Sequence, residues 1–548
     1  MLVCAIFPAT SGAADPIMKL SEVRPGMDCT GRSTIRGTAV AEFDVEVIDI
    51  LRGEAAYYGS RILMRVSGPA VDATGIGPGF SGSPIYCRDG AGVERVAGAI
   101  SEGLGQYGNF VALATPIEDM LGVPATPPPS ARRASALLRS ARPLKAPLTV
   151  SGLTGPVRRA ALAGARRANF PLAVAPSSSS VFYPPYELIP GSPVAAGLSS
   201  GDMTISAIGT VTYRDGDRLW AFGHPLGGAG PRSLPLLDAY VFTIIDNPLG
   251  TFDATTYQLA SAGRPVGALT NDRLSAIAGT IGRPPPTIPL TVFTRDLATG
   301  RRHTIRAEVA DERRLGLGSG LDLVTSFALS DSVVRVLQAE PFDATSSTCV
   351  KIRVRQAARP LGFCKRYFDP WEMFADVSQA MALVDGYKFG PLGIRSVSIR
   401  TGVRIGVREA FILRAKAPRR VRPGQRIRVR LELQRSRAGR FQRSFGYRVP
   451  RSTKPGRRTL TIRGNGSGGS GLDELFALLF GGGGGAGSRA PRSIDELRVR
   501  IADLGTPDGV RATFARKDRG EVVYRTKQLR IRGKTEVPVI VERRAKRD

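Results

Sequence analysis

The segments AEFDVEVIDI (residues 41–50), RILMRV (61–66) and VERVAGAI (93–100) decide the fold. Each returns apolar side chains at every second position, the period of a strand with one buried face. Glycine-rich turns separate them and no helical period intervenes, so residues 19–123 read as an all-β unit. The unit closes at TPIEDML (115–121), where Thr115 is expected to cap a short helix with Pro116 in its first position. A stiff Pro/Arg-rich linker, 124–147, leads to a second β block at 148–330. There, Asp215-Gly216 between GDMTISAIGTVTY (201–213) and LWAFGH (219–224) signals a hairpin turn.

Past residue 330 the pattern changes. WEMFADVSQAMALV (371–384) has helical spacing, inside a connector at 331–394. Residues 395–463 read as an Arg-rich, β-sandwich-like domain, with turns supplied by Arg-Pro-Gly (422–424) and Lys-Pro-Gly (454–456). A Gly-rich linker (464–492) precedes a small basic tail domain, 493–548, that opens with a helix start at Ser493. The expected fold is mainly β, with a sandwich-like C-terminal domain and a small α+β tail.

A chain of 548 residues has room for three or four domains. With 42% apolar and 23% charged residues, wholesale disorder is excluded, and no run of apolar residues is long enough for a spanning helix. Residues 1–18 resemble a secretory signal in their apolar stretch and small-residue end, although a basic start is missing, and predict export. Cys4 would leave with that segment. Cys29, Cys87, Cys349 and Cys364 then allow three pairings, of which Cys29–Cys87 and Cys349–Cys364 keep each bond within one proposed domain.

The net charge is +30, and residues 401–450 alone hold 15 Arg or Lys against 2 acids. Arginines alternating with apolar residues put the charge on one strand face. That face is either simply solvated or a contact for an anionic envelope polymer or lipid surface. Nucleic acid is the weakest option, since no recognition helix or stacking motif accompanies the charge. No C-x-x-C spacing and no phosphate-cradling loop is present, so neither a metal nor a cofactor is expected.

The chemistry-bearing stretch is TGIGPGFSGSPIY (74–86). Glycines flanking Ser81 let the backbone turn tightly and aim successive N–H groups into one small space. Donors from Gly79 and Ser81 could there stabilise the oxyanion of an acyl-transfer intermediate. A serine hydroxyl needs a base, and only two histidines exist. His303, in RRHT, has the surroundings of a surface residue. His224, in WAFGHPLGGAG (220–230), ends an apolar strand and opens a glycine-rich loop, as a base at a cleft mouth would.

These residues resemble the SpoIVB family of sporulation serine peptidases. The serine motif and VAGAI (96–100) are similar to that family's nucleophile segment. AIGTVTYRDGDRLWAFGH (207–224), YVFT (240–243) and GALTNDRLSAIAGTIG (267–282) are similar to its histidine segment. The resemblance implies a chymotrypsin-like double β-barrel formed by the two halves, with Ser81 as nucleophile, His224 as general base and a protein or peptide as substrate. Two departures stand out. His224 follows Ser81 by 143 residues, the reverse of the family order, and no carboxylate occupies the family's acid position near residues 66–68. Asp72 is the nearest candidate acid, with Asp238 and Asp246 as alternatives. The element GSPVAAGLSSGD (191–202) faintly resembles part of a PDZ domain and reads as a loop. Two functions compete: a secreted or envelope-associated serine endopeptidase, and a catalytically silent envelope scaffold that keeps the peptidase cleft for binding.

Overall fold

The computed structural model describes residues 14–52, 59–103, 109–126, 148–176, 183–246, 256–313, 319–341, 344–368, 370, 371–390, 392–406, 409–436, 438–464, 472–480, 490–505, 509–514, 521–525 and 529–542. Most of the signal-like segment and the 127–147 part of the linker lie outside them. The architecture is mainly β.

Six strands form the first barrel: β1 (Asp28–Arg36), β2 (Ala39–Leu51), β3 (Arg61–Ser67), β4 (Pro84–Arg88), β5 (Glu94–Gly103) and β6 (Val111–Pro116). They close in the order β1-β2-β3-β6-β5-β4. Alternation works as read: in β2 the residues Phe43, Val45 and Val47 turn inward to meet Ile62, Met64 and Val66 of β3. The Cys29–Cys87 disulfide crosses the β1–β4 pairing that shuts the ring. Helix α1 (Ile117–Leu121) follows, but Thr115 does not cap it, because that hydroxyl is used elsewhere.

After β7 (Leu148–Ser151), α2 (Gly155–Arg167) and β8 (Leu172–Ala175), six further strands make a second ring. They are β9 (Pro193–Gly201), β10 (Thr204–Asp215), β11 (Arg218–Ala221), β12 (Gly230–Ile245), β13 (Tyr257–Asp272) and β14 (Ile277–Ile281). Their antiparallel pairings run β9-β10-β11-β14-β13-β12 and return to β9. Strand for strand this is the order of the first ring, so the chain contains two barrels of one topology. The segment read as a loop at 191–202 is β9. Its small residues are buried almost throughout, which suits a strand packed on both sides. The expected hairpin joins β10 to β11, with Asp215 opposite Arg218 and Gly216 at φ +57°.

The sheet continues from β9 through β16 (Arg302–Ala310) and β15 (Thr287–Asp296) to β19 (Ile394–Ile405), β17 (Ala344–Val354) and β18 (Leu361–Tyr367). Helices α3 (Leu321–Leu337) and α4 (Pro370–Asp385) bury their apolar faces against it. The connector boundary at 394 is therefore corrected: β19 pairs in parallel with β15 and belongs to this sheet, not to the sandwich. Cys349 and Cys364 are bonded across β17 and β18. Within the stretch read as a Gly-rich linker, α5 (Leu472–Phe480) is a packed helix, with Phe476 stacked 4.6 Å from Phe327.

The sandwich comprises a sheet of β20 (Glu409–Lys416), β22 (Arg426–Arg435), β23 (Arg440–Arg448) and β27 (Arg530–Arg532). The facing sheet holds β21 (Arg420–Val421), β24 (Gly456–Arg463), β25 (Gly509–Thr513), β26 (Glu521–Arg525) and β28 (Lys534–Val541). The tail is thus no separate domain. Its strands complete the sandwich core, and α6 (Ile494–Leu504), capped by Ser493 as expected, packs on the earlier sheet. Among the described residues no helix is long and apolar enough to cross a membrane.

Between α3 and α4, Asp322 accepts hydroxyl hydrogen bonds from Ser326 and Ser378. Burial pushes its carboxyl up to about 7, against the pull of the two hydroxyls. A carboxyl raised on folding stabilises the fold at low pH, and that contribution is lost as pH rises toward 7. Asp322→Asn is therefore expected to raise stability by roughly 2 kcal/mol at pH 8 and little at pH 4, as read from urea midpoints.

Candidate active site

Ser81 lies on the connection between β3 and β4, the third and fourth strands of the first barrel. Phe80, fully buried, anchors this loop in the barrel core. The Gly82 N–H donates to the Ile100 carbonyl at 2.7 Å and Ser83 N–H to the Phe80 carbonyl at 2.9 Å. Gly79 at φ +102° and Gly82 at φ +94° take conformations that side chains disfavour. Ser81 is 9% exposed. Among the described residues its hydroxyl has no hydrogen-bond partner, and the N–H groups of Gly79 and Ser81 have no acceptor.

His224 lies on the connection between β11 and β12, again the third and fourth strands, here of the second barrel. Phe222 at φ +72° and Gly223 at φ +67° turn the chain sharply out of β11. A buried aromatic in that region costs about 1–2 kcal/mol and persists only when its surroundings hold it. Here the Phe222 N–H donates to Thr210, and the Thr115 hydroxyl of the first barrel donates to the Gly223 carbonyl at 2.6 Å. The His224 ring is 4% exposed, and its Nδ1 is 2.8 Å from the Pro225 carbonyl. A carbonyl only accepts, so Nδ1 carries the proton and Nε2 keeps its lone pair. Burial holds His224 below the ordinary histidine value. The Pro225 contact and the Asp272 charge oppose this, while the Arg61 charge adds to it.

The two loops are brought into contact. A side chain at Gly82 would collide with the Thr210 carbonyl and the Phe222 backbone. Three carbonyls of the serine loop are taken by β10: Gly79 by the Thr210 hydroxyl (2.9 Å), Ser81 by the Thr210 N–H (2.8 Å) and Gly82 by the Thr212 hydroxyl (2.7 Å). The β12–β13 hairpin reaches over from the same barrel. Its Gln258 N–H donates to the Pro78 carbonyl (2.9 Å), and the Gln258 side chain lies against Gly79 while donating to Thr34 (3.1 Å). The serine loop is thus shaped by the histidine barrel. No hydrogen bond joins Ser81 Oγ to His224 in this structure.

None of the three carboxylates named from the sequence contacts His224. Asp72 is exposed and accepts the Gly68 N–H of its own loop (2.7 Å). Asp238 is buried between Tyr183 (2.8 Å) and Arg264 (3.0 Å). Asp246 is exposed at the end of the β12 hairpin arm. The carboxylate whose charge bears on His224 is Asp272, fully buried at the end of β13. It accepts the N–H groups of Leu226 (2.9 Å), Gly227 (2.9 Å) and Ala229 (3.3 Å) and pairs with Arg232 (3.2 Å), so it fastens the loop that carries the histidine. A signal was available in the polar Asn271-Asp272-Arg273 run closing an apolar strand. His303 lies on β16 in the sheet extension. Among the described residues no cluster of ligating side chains could hold a metal.

Gly82→Ala is expected to cost roughly 3 kcal/mol or more and to loosen the two barrels, read by urea unfolding and limited proteolysis. Asp272→Ala, which strands three N–H groups and leaves Arg232 to Glu312 alone, is expected to cost about 3–5 kcal/mol. Asp72→Ala should leave the urea midpoint nearly unchanged. The chain matches no protein-family model, no curated protein and no solved structure.

Proposed function

We propose that the chain is an exported serine endopeptidase that cleaves peptide bonds by acyl transfer through Ser81. The observation that carries this reading is the serine loop itself. Its carbonyls are tied down by the second barrel, while the Ser81 hydroxyl and the Gly79 and Ser81 N–H groups are left without protein partners. Free donors beside a free hydroxyl are what a tetrahedral intermediate needs.

In the proposed reaction His224 Nε2 takes the Ser81 proton as Oγ attacks the scissile carbonyl. The Gly79 and Ser81 N–H groups receive the oxyanion. The imidazolium then returns the proton to the leaving amine, and water, deprotonated by the same nitrogen, releases the acid product. Asp272 acts on the histidine through its loop and its charge, and the Pro225 carbonyl keeps the ring in the required tautomer. The two disulfides support an oxidising, exported setting. An anionic envelope polymer is the proposed second partner, held by the C-terminal region.

A catalytically silent scaffold is the second reading. It is favoured by the missing Ser81–His224 hydrogen bond and by a carbonyl, not a carboxylate, at Nδ1. Fluorophosphonate labelling separates the two. The wild-type chain is expected to label, Ser81→Ala not at all, and His224→Ala at least about 10⁴-fold more slowly. Because burial depresses the His224 pKa, the acid limb of the labelling rate should fall below the ordinary histidine value. A folded wild-type chain that never labels assigns the scaffold role.

A further inference from the structure

The outer face of the β20–β22–β23 sheet is cationic at one end. On β22 the residues Arg426, Arg428 and Arg430 all point outward, alternating with the buried Ile427, Val429 and Leu431. Register sets Arg448 of β23 opposite Arg426, and Lys416 of β20 opposite Arg430. All five side chains are exposed. Glu432, the next outward residue after Arg430 on β22, is engaged by Arg414 and Arg440, and Glu409 of β20 is engaged by Arg530 and Arg532. The five cations have no acidic partner among the described residues.

Alternate residues of a strand are about 6.8 Å apart and neighbouring strands about 4.8 Å apart. The five cations therefore form a row along β22 with one flanking charge on each side. Neighbouring charges in the row sit within a Debye length of each other, about 8 Å at physiological salt, so they repel, and a bound polyanion would relieve that repulsion. Guanidinium forks suit phosphate oxygens in particular.

We propose that this row binds an extended polyol-phosphate polymer of the cell envelope, one phosphodiester to each of the five cations. The exposed apolar residues Phe411 and Leu413 lie on β20 toward the opposite end, with Phe411 across from Gln434, so nothing apolar is interleaved with the cations to enter a bilayer. The aromatics of β23 near the row, Phe445 and Tyr447, face the core and offer no platform for stacking bases. The binding row is independent of Ser81 and of any cleavage.

The test uses the full chain and a fluorescent poly(glycerol phosphate) probe, with binding measured across a salt series. At about 0.7 per contacted phosphate, five contacts give a slope of log affinity against log salt of about −3.5. Arg426→Gln, Arg428→Gln and Arg430→Gln together should lower this to about −1.4. A control with the same charge loss, Arg158→Gln, Arg159→Gln and Arg166→Gln on α2, should keep the wild-type slope. Unchanged melting curves show that both variants fold. The proposal is overturned by equal losses in both variants, by tighter binding to oligodeoxythymidylate or to phosphatidylglycerol vesicles than to the probe, or by no binding at all.

Discussion

The seating of Gly82 against Phe222 and Thr210 is the contact on which the site depends. It needs a glycine on one side, a strained aromatic backbone on the other, and two closed barrels to bring them together. Around it, β10 takes the three carbonyls that would otherwise let the serine loop rotate. With those oxygens fixed, the remaining polar groups of the loop point where no protein atom answers them. The proposed chemistry is a property of the interface between the barrels and belongs to neither alone.

Electrostatics divide along the same interface. The second barrel supplies a buried network in which Asp272 and Glu312 share Arg232 and clamp the residues after His224. The first barrel supplies Thr115, which holds the residue before it, and the Arg61 charge. A histidine gripped on both flanks has little freedom to turn, and its burial disfavours the charged form. Both effects favour a proton acceptor over a fixed cation.

Much of this was legible in the chain, for identifiable reasons. Period-2 alternation at 41–50 and 61–66 is a local signal, and it reports strands well. Both disulfide pairings followed from domain proximity, and each proved to span directly paired strands. Ser81 and His224 stood out as candidates because glycines frame the one and the other is one of only two histidines. Asp272 did not, because its role is to accept backbone N–H groups from a loop more than forty residues away, which leaves no mark on its neighbours. Thr115 looked like a helix cap because local rules see only the helix that follows. The strands β19 and β25–β28 were misassigned for a related reason: alternation reports a strand but says nothing about which sheet it joins.

The shared strand order of the two rings bears on the order of Ser81 and His224 along the chain. Each barrel closes on itself, and the two key loops occupy equivalent places in their own ring. The covalent path between the units therefore does not decide where the two loops sit. Either barrel could come first along the polypeptide, and a joint could be cut and remade elsewhere, with the face-to-face docking left intact.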